Sequence, residues 1–215
     1  ATTEIYTLSL HDALPIFRVR GKVVGSNTDV AGFGLPLGDF HDDLEQGTSL
    51  VLGAGGAARA AMYSLARHFG CRRFVIAARD LAAAERARSQ LMAAAVGLEV
   101  GAVRPFELAR SVVEEWSIVV NATPLGGPNR LEESPLPDGF DWRKAGLYYD
   151  LNYNPGNRTV AEAAAAGVPS FDGSAMLVAQ ALESYRLWTG REVEFETVYP
   201  AAFPDWQPPS GKDGR

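Results

Sequence analysis

From Thr48 onward the chain alternates between short apolar runs and longer amphipathic or alanine-rich stretches. TSLVLG (48–53), RRFVIAA (72–78), LEVGAV (98–103), SIVVNA (117–122) and GLYYDL (146–151) predict strands. Between the first two, Ala58, Ala61, Met62, Leu65 and Phe69 recur at helical spacing, and LAAAERARSQLMAAA (81–95) is rich in strong helix formers. TVAEAAAAG (159–167) predicts a helix stopped at Gly167, and SAMLVAQALESYRLWTG (174–190) a longer one stopped at Gly190. This alternation is the pattern of repeated βα units, so the predicted fold class is α/β, with a Rossmann-like, doubly wound parallel sheet.

The flanks are less regular. RVRGKVVGS (18–26) predicts one strand, and VAGFGLPLGDFHDDLEQG (30–47) a short broken helix, since its glycines and Pro36 interrupt the periodicity. Beyond Tyr199 the sequence is rich in Pro and Gly without an apolar face, which predicts a loose tail. No internal repeat of fixed period is evident.

Composition narrows the function classes. At 215 residues and 47% hydrophobic, the chain can bury a real core. A net charge of −6 disfavours a nucleic-acid or membrane-surface partner. No apolar run is long enough to span a bilayer. One cysteine, Cys71, forms no internal disulfide, and His11, His41 and His68 are too scattered for a metal cluster. A cytoplasmic protein without a metal is the expectation, and small anionic molecules remain possible ligands. The sequence carries no signal of oligomeric state.

The strongest chemical signal is LVLGAGGAARAA, in which Gly53, Ala54, Gly55, Gly56 and Ala57 link an apolar strand directly to an amphipathic helix. Gly53 permits a tight turn, Gly55 lets the backbone approach a pyrophosphate, and Ala57 and Ala58 let the helix sit close to the sheet. The free N–H groups and positive dipole end of that helix favour phosphate. At the end of the second strand stands AARDLAAAE. Arg79 suits a 2′-phosphate, whereas Asp80 suits a free ribose 2′-OH, or equally a helix N-cap.

Four further stretches occur in order along the chain: GSNTDVAGF, VVNATPLGG, YDLNYNPGNRT and DGSAMLVAQALESYRLWTG. Together with GAGGAAR they resemble the shikimate/quinate dehydrogenase family from about Gly21 to Tyr199. The resemblance implies reversible, nicotinamide-dependent interconversion of 3-dehydroshikimate and shikimate, with NADP as cofactor and NAD as the alternative. It implies that Asp29 is the catalytic aspartate, hydrogen-bonding substrate beside a lysine, and that Tyr153 and Gln180 reach the substrate. It further implies that Gly53 to Ala57 hold the pyrophosphate and that Arg79 lies near the adenosine ribose. Asn121, Ala122 and Thr123 would line the cofactor cleft, with Leu151 and Gly173 near the nicotinamide. On local grounds, Asp29 alone reads as a helix N-cap, Asn121 follows a buried strand at the end where ligands bind or simply makes a turn, and Tyr153 in its loop is a ligand contact or, as often, a packing residue.

The sequence departs from the family pattern in places. AARD stands in place of Asn-Arg-Thr, Ala83 where many NADP-using relatives carry another Arg, and Gly127 where Met is common. The family's amino-terminal substrate domain, with its Ser-rich carboxylate site and catalytic lysine, has no match. Ala1 to Ile16 instead match the translation of a common sequencing-library adapter. The expected organisation is therefore a non-native leader at 1–17, a substrate-domain remnant and interdomain segment at 18–46, and a dinucleotide-binding domain at 47–172. A C-terminal helical segment at 173–200, returning toward the substrate domain, and a tail at 201–215 complete it. The alternatives to a dehydrogenase fragment, itself expected to be inactive, are an NAD-using quinate/shikimate dehydrogenase and a non-catalytic dinucleotide-binding module.

Overall fold

The computed structural model describes residues 15–110 and 115–204. The chain enters through a hairpin of β1 (Ile16–Val19) and β2 (Lys22–Gly25), followed by α1 (Asp29–Gly34), a 3₁₀ segment (Leu35–Phe40) and α2 (His41–Leu44). Next come β3 (Thr48–Leu52), α3 (Gly56–His68), β4 (Arg73–Ala77), α4 (Leu81–Ala94) and β5 (Glu99–Val103). The second half runs β6 (Ile118–Asn121), β7 (Tyr148–Asp150), α5 (Arg158–Ala165), β8 (Ser170–Phe171), α6 (Ser174–Thr189) and α7 (Phe195–Ala202).

Strands β3 to β8 form one six-stranded sheet in the order β5-β4-β3-β6-β7-β8, every pair parallel. Successive side chains of a strand point to opposite faces, and here both faces are covered. Val51, Ile118, Val120, Leu147 and Tyr149 join a core with α1, α3 and α4, whereas Leu50, Leu52, Val119 and Tyr148 pack with Leu136, Ala163 and Val168 on the other face. Burial on both sides is why these strands read as continuous apolar runs rather than alternating ones. The α/β parallel fold expected from the sequence is the fold observed.

Two local expectations are corrected, and one strand is added. The stretch 18–26 is not one strand: Arg20 (φ 49°) and Gly21 (φ 81°) form a two-residue turn between Val19 and Lys22, and the chain doubles back. Positive φ at both turn positions is the geometry of a tight hairpin. The apolar path does not end at Tyr199 either, because α7 continues to Ala202 with Tyr199 fully buried and stacked between Phe195 and Phe203. Strand β8 is only two residues long and carries no sequence run of its own. Of the expected leader, residues 1–14 lie outside those described; Pro15 to Phe17 take part in the hairpin, with Ser26 N–H donating to the Pro15 carbonyl at 3.1 Å. Residues 205–215 of the expected tail also lie outside the described residues.

Candidate functional site

The strand order reverses direction at β3: β4 lies on one side and β6 on the other. In open parallel sheets this switch leaves a crevice at the carboxyl ends of the strands, where ligands bind. The glycine loop sits on its rim. Gly53 has φ +106°, and a Cβ there would lie 2.8 Å from the Ala122 carbonyl oxygen, so both conformation and contact require glycine. That close approach ties the loop after β3 to the loop after β6 across the crevice. Gly55 and Gly56 are exposed, and a Cβ on either would meet nothing within 4 Å. Gly55 is the N-cap of α3 and offers no side chain, so the first-turn N–H groups of this thirteen-residue helix have no side-chain cap. Open space before uncapped helix N–H groups fits a phosphate. Ala54 and Ala57 are partly exposed beside them.

Arg79 and Asp80 are exposed at the carboxyl end of β4. Asp80 caps α4, its carboxylate accepting from the Ala83 N–H at 3.1 Å and lying 3.8 Å from the Arg86 guanidinium. Its capping role is therefore realised.

Across the crevice, Asn121 is fully buried and saturated. Its Nδ2 donates to the Leu125 carbonyl and to Asp150 Oδ2, both at 2.9 Å. Its Oδ1 accepts from Thr123 N–H at 3.0 Å and from the Thr123 hydroxyl at 2.7 Å. Asp150, also fully buried, accepts in addition from the Tyr148 hydroxyl at 2.8 Å and the Asn152 N–H at 2.9 Å. Burial, followed by the neighbouring Asp150 carboxylate, pushes the Tyr148 phenol well above its usual range, so it stays a donor. Asn121 thus shapes the loop that carries Ala122 and Thr123, whereas those two residues are partly exposed. Leu151 and Gly173 meet at the far side: a side chain on Gly173 would collide with the Leu151 carbonyl, and Gly173 N–H donates to the Asn152 carbonyl at 2.9 Å.

The expected substrate residues lie on three elements. Asp29 opens α1, and α1 crosses α6 where Gly32 meets Gln180: a Cβ on Gly32 would be 2.7 Å from the Gln180 Cβ. Ser184, one turn on, bonds Thr28 at 3.3 Å. This crossing brings Asp29 and Gln180 to one helix pair. Asp29 is not the N-cap that local sequence suggested; Thr28 holds that position, and no side chain caps the helix. The Asp29 carboxylate has no hydrogen-bond or ion-pair partner among the described residues, and burial raises its pKa above the usual carboxylate range. Tyr153 is 56% exposed on the loop after β7, so it is not a packing residue.

The sequence reading missed Asn152. Its Nδ2 reaches the carbonyls of Thr123 (3.0 Å) and Leu125 (3.2 Å) and Asp150 Oδ1 (2.8 Å), bridging the loops after β6 and β7. It stands beside Gly127: a Cβ on that glycine would lie 2.7 Å from Asn152 Oδ1. Both line a pocket of about 200 Å³, together with Pro124, Pro128, Asn129 and Arg130. The departure at Gly127 was the sequence signal that could have pointed here. Among the described residues no cluster of metal-ligating side chains occurs, and no helix is long and apolar enough to cross a membrane.

Comparison with known proteins gives these features a context. Residues 173–203 match the family model described as the shikimate 5′-dehydrogenase C-terminal domain. A shikimate dehydrogenase (NADP(+)) of Salinibacter ruber is 42% identical over 191 residues, covering 86% of this chain and 66% of the relative. The corresponding Chlorobium chlorochromatii protein is 33% identical, over 85% of this chain and 64% of its own length. The chain therefore spans about two thirds of these relatives. Among solved structures, Thermus thermophilus shikimate 5-dehydrogenase in complex with NADP(H) and shikimate aligns with a TM-score of 0.68 at 32% identity, over 87% of this chain and 66% of that one. Corynebacterium glutamicum quinate dehydrogenase in complex with NAD aligns with a TM-score of 0.74 at 28% identity, over 88% and 66%. Sequence identity sustained along 86% of its length, on a fold that aligns over 87% of it, settles the kinship: the chain belongs to the shikimate dehydrogenase family.

Proposed function

We propose that this chain is the cofactor-binding part of a shikimate dehydrogenase, holding NADP across the carboxyl edge of its sheet. The single observation that carries the reading is the glycine loop: open space before Gly55 and Gly56, and uncapped N–H groups of α3, at the switch point of the sheet. Gly53 to Ala57 bind the pyrophosphate, and Arg79 pairs with the 2′-phosphate. Asp80 opposes that phosphate only weakly, because its carboxylate is engaged by the Ala83 N–H and lies near Arg86. The nicotinamide half extends over Ala122, Thr123, Leu151 and Gly173, whose loop is held by the buried Asn121–Asp150 pair. The names of the relatives, several carrying NADP(+), support this cofactor.

When bound, the nicotinamide supplies or accepts the hydride that interconverts shikimate and 3-dehydroshikimate. Asp29 and Gln180 hydrogen-bond that substrate at the α1–α6 crossing, and Tyr153 closes on it from the loop after β7. Hydride delivery to the carbonyl builds negative charge on its oxygen, which needs a proton donor; general acid catalysis of this kind is worth about 10²–10⁴-fold. Lys22 and Lys144 are both exposed, on the hairpin and in a short 3₁₀ turn, and neither is an ion-pair partner of Asp29. The chain alone is accordingly expected to bind cofactor and turn over little. The single, buried Cys71 is consistent with a reducing cytoplasm as its compartment.

The test is an assay of NADP and NAD reduction by shikimate, run beside calorimetric binding. Cofactor binding with negligible turnover, restored when a complete amino-terminal substrate domain of a relative is fused ahead of Phe17, is the expected result. Full turnover abolished by Asp29→Ala would overturn the expectation of inactivity, and turnover unaffected by Asp29→Ala would overturn the role of Asp29.

A further inference from the structure

The amide orientation of Asn152 is fixed by its surroundings. Three acceptors, the Thr123 and Leu125 carbonyls and the Asp150 carboxylate, face one end of the side chain, and that end must therefore be the NH₂. Oδ1 is turned the other way, toward Gly127 and the pocket of about 200 Å³ that both residues line. No group among the described residues donates to this oxygen. Any side chain at 127 would crowd it, since even a Cβ would stand 2.7 Å away. The glycine and the asparagine are thus a matched pair: one vacates the space, the other presents a hydrogen-bond acceptor into it.

The position of this acceptor suggests its ligand. The pocket lies between the loops that leave the carboxyl ends of β6 and β7, on the half of the sheet opposite the β4 side that carries Arg79. A dinucleotide bound across a switch point divides its two nucleotide halves between the two halves of the sheet. With the adenosine over β4, the other base lies over β6 and β7. The group on that base able to donate hydrogen bonds is the primary carboxamide of nicotinamide.

We propose that Asn152 Oδ1 accepts a hydrogen bond from the nicotinamide carboxamide NH₂, in a pocket that the absence of a side chain at Gly127 keeps open. This inference rests on the cofactor reading above and adds to it a residue that orients the nicotinamide ring. Its consequence is selectivity for an amide at the 3-position of the ring over groups that lack the NH₂.

The experiment compares three ligands by calorimetry: NADP, its 3-acetylpyridine analogue, in which methyl replaces the amide NH₂, and 2′-phospho-ADP-ribose, which lacks the ring. The chain should prefer NADP over the acetylpyridine analogue by about 3- to 10-fold, the worth of one hydrogen bond. Asn152→Leu should bring that ratio to about one and leave the affinity for 2′-phospho-ADP-ribose unchanged. Gly127→Ala should also lower that ratio, because its Cβ would stand 2.7 Å from Asn152 Oδ1 and 3.0 Å from the Pro124 carbonyl oxygen and so displace the acceptor. A wild-type ratio near one, a ratio preserved in both variants, or an equal loss of affinity for the ringless ligand would each overturn the assignment. Failure of the broader reading looks different: then the ringless ligand does not bind the wild-type chain at all.

Discussion

Replacing Asn121 with alanine isolates the buried polar hub beneath the crevice. The substitution removes two hydrogen bonds accepted by Oδ1 and two donated by Nδ2, one of the latter to the buried Asp150 carboxylate. At about 1 kcal/mol for each of the three neutral bonds and about 2 kcal/mol for the bond to the carboxylate, the gross loss is about 5 kcal/mol. Thr123 and Leu125 are partly accessible and recover some of this with water, so about 3 to 4 kcal/mol remains. A loss of that size is a large part of the stability of an ordinary domain, about 5–15 kcal/mol. Urea unfolding, with and without saturating NADP, reads it as a lower midpoint at unchanged slope. A loss below about 1 kcal/mol would refute the argument, because Asn121 would then be a cofactor contact and not the support of the loop.

Asp29 lends itself to a pH test. Its pKa is raised in the folded state by burial, so the folded chain binds a proton more tightly than the unfolded chain at this site. Its contribution is therefore fully present below the unfolded pKa and lost as pH rises through the folded one. Asp29→Asn should raise the melting temperature at neutral pH, with the gain vanishing in acid below the ordinary Asp range; a gain equal at both pH values would contradict the burial argument. Asp80→Ser keeps a capping oxygen for Ala83 N–H and removes a charge, so the NADP-to-NAD affinity ratio should rise with little change in stability, whereas Asp80→Ala should cost about 1 kcal/mol in unfolding experiments. An unchanged ratio in Asp80→Ser would mean that the carboxylate lies outside the field of the 2′-phosphate.

How far the sequence could be read depended on where the information lay. The core strands β3, β6 and β7 were legible because burial on both faces demands continuous apolar runs, as in Leu50–Leu52 and Ile118–Val120. Helices α3, α4 and α6 followed from periodicity and from stops such as Gly190, which sits at φ +71°. Strand β8 escaped notice because two paired residues carry no period, and the hairpin because its turn, Arg20–Gly21, has a non-glycine residue at positive φ. Helix α7 was hidden by Pro200, although its burial is set by the Phe195–Tyr199–Phe203 stack and by the Tyr199 hydroxyl lying 2.5 Å from Ser174 Oγ. At the site, Gly53 could be assigned from its motif, because its backbone conformation is a local property. Asn121 and Asn152 could not be told apart, since their roles depend on partners 29 and 27 to 29 residues away in the chain. A polar letter after an apolar strand gives no sign of whether its side chain turns inward to Asp150 or outward to a pocket.

Gly55 offers the most direct measurement of the central claim, that the loop from Gly53 to Ala57 holds the pyrophosphate of a nicotinamide dinucleotide. Its φ of −79° and ψ of −168° suit any residue, and a Cβ there meets nothing within 4 Å. Gly55→Val should therefore fold with the wild-type midpoint, while its branched side chain fills the space that the phosphates need. Calorimetric titration of both proteins with NADP should show one site in the wild type and at least about a ten-fold loss of affinity in Gly55→Val. Equal affinities in two equally stable proteins would contradict the account.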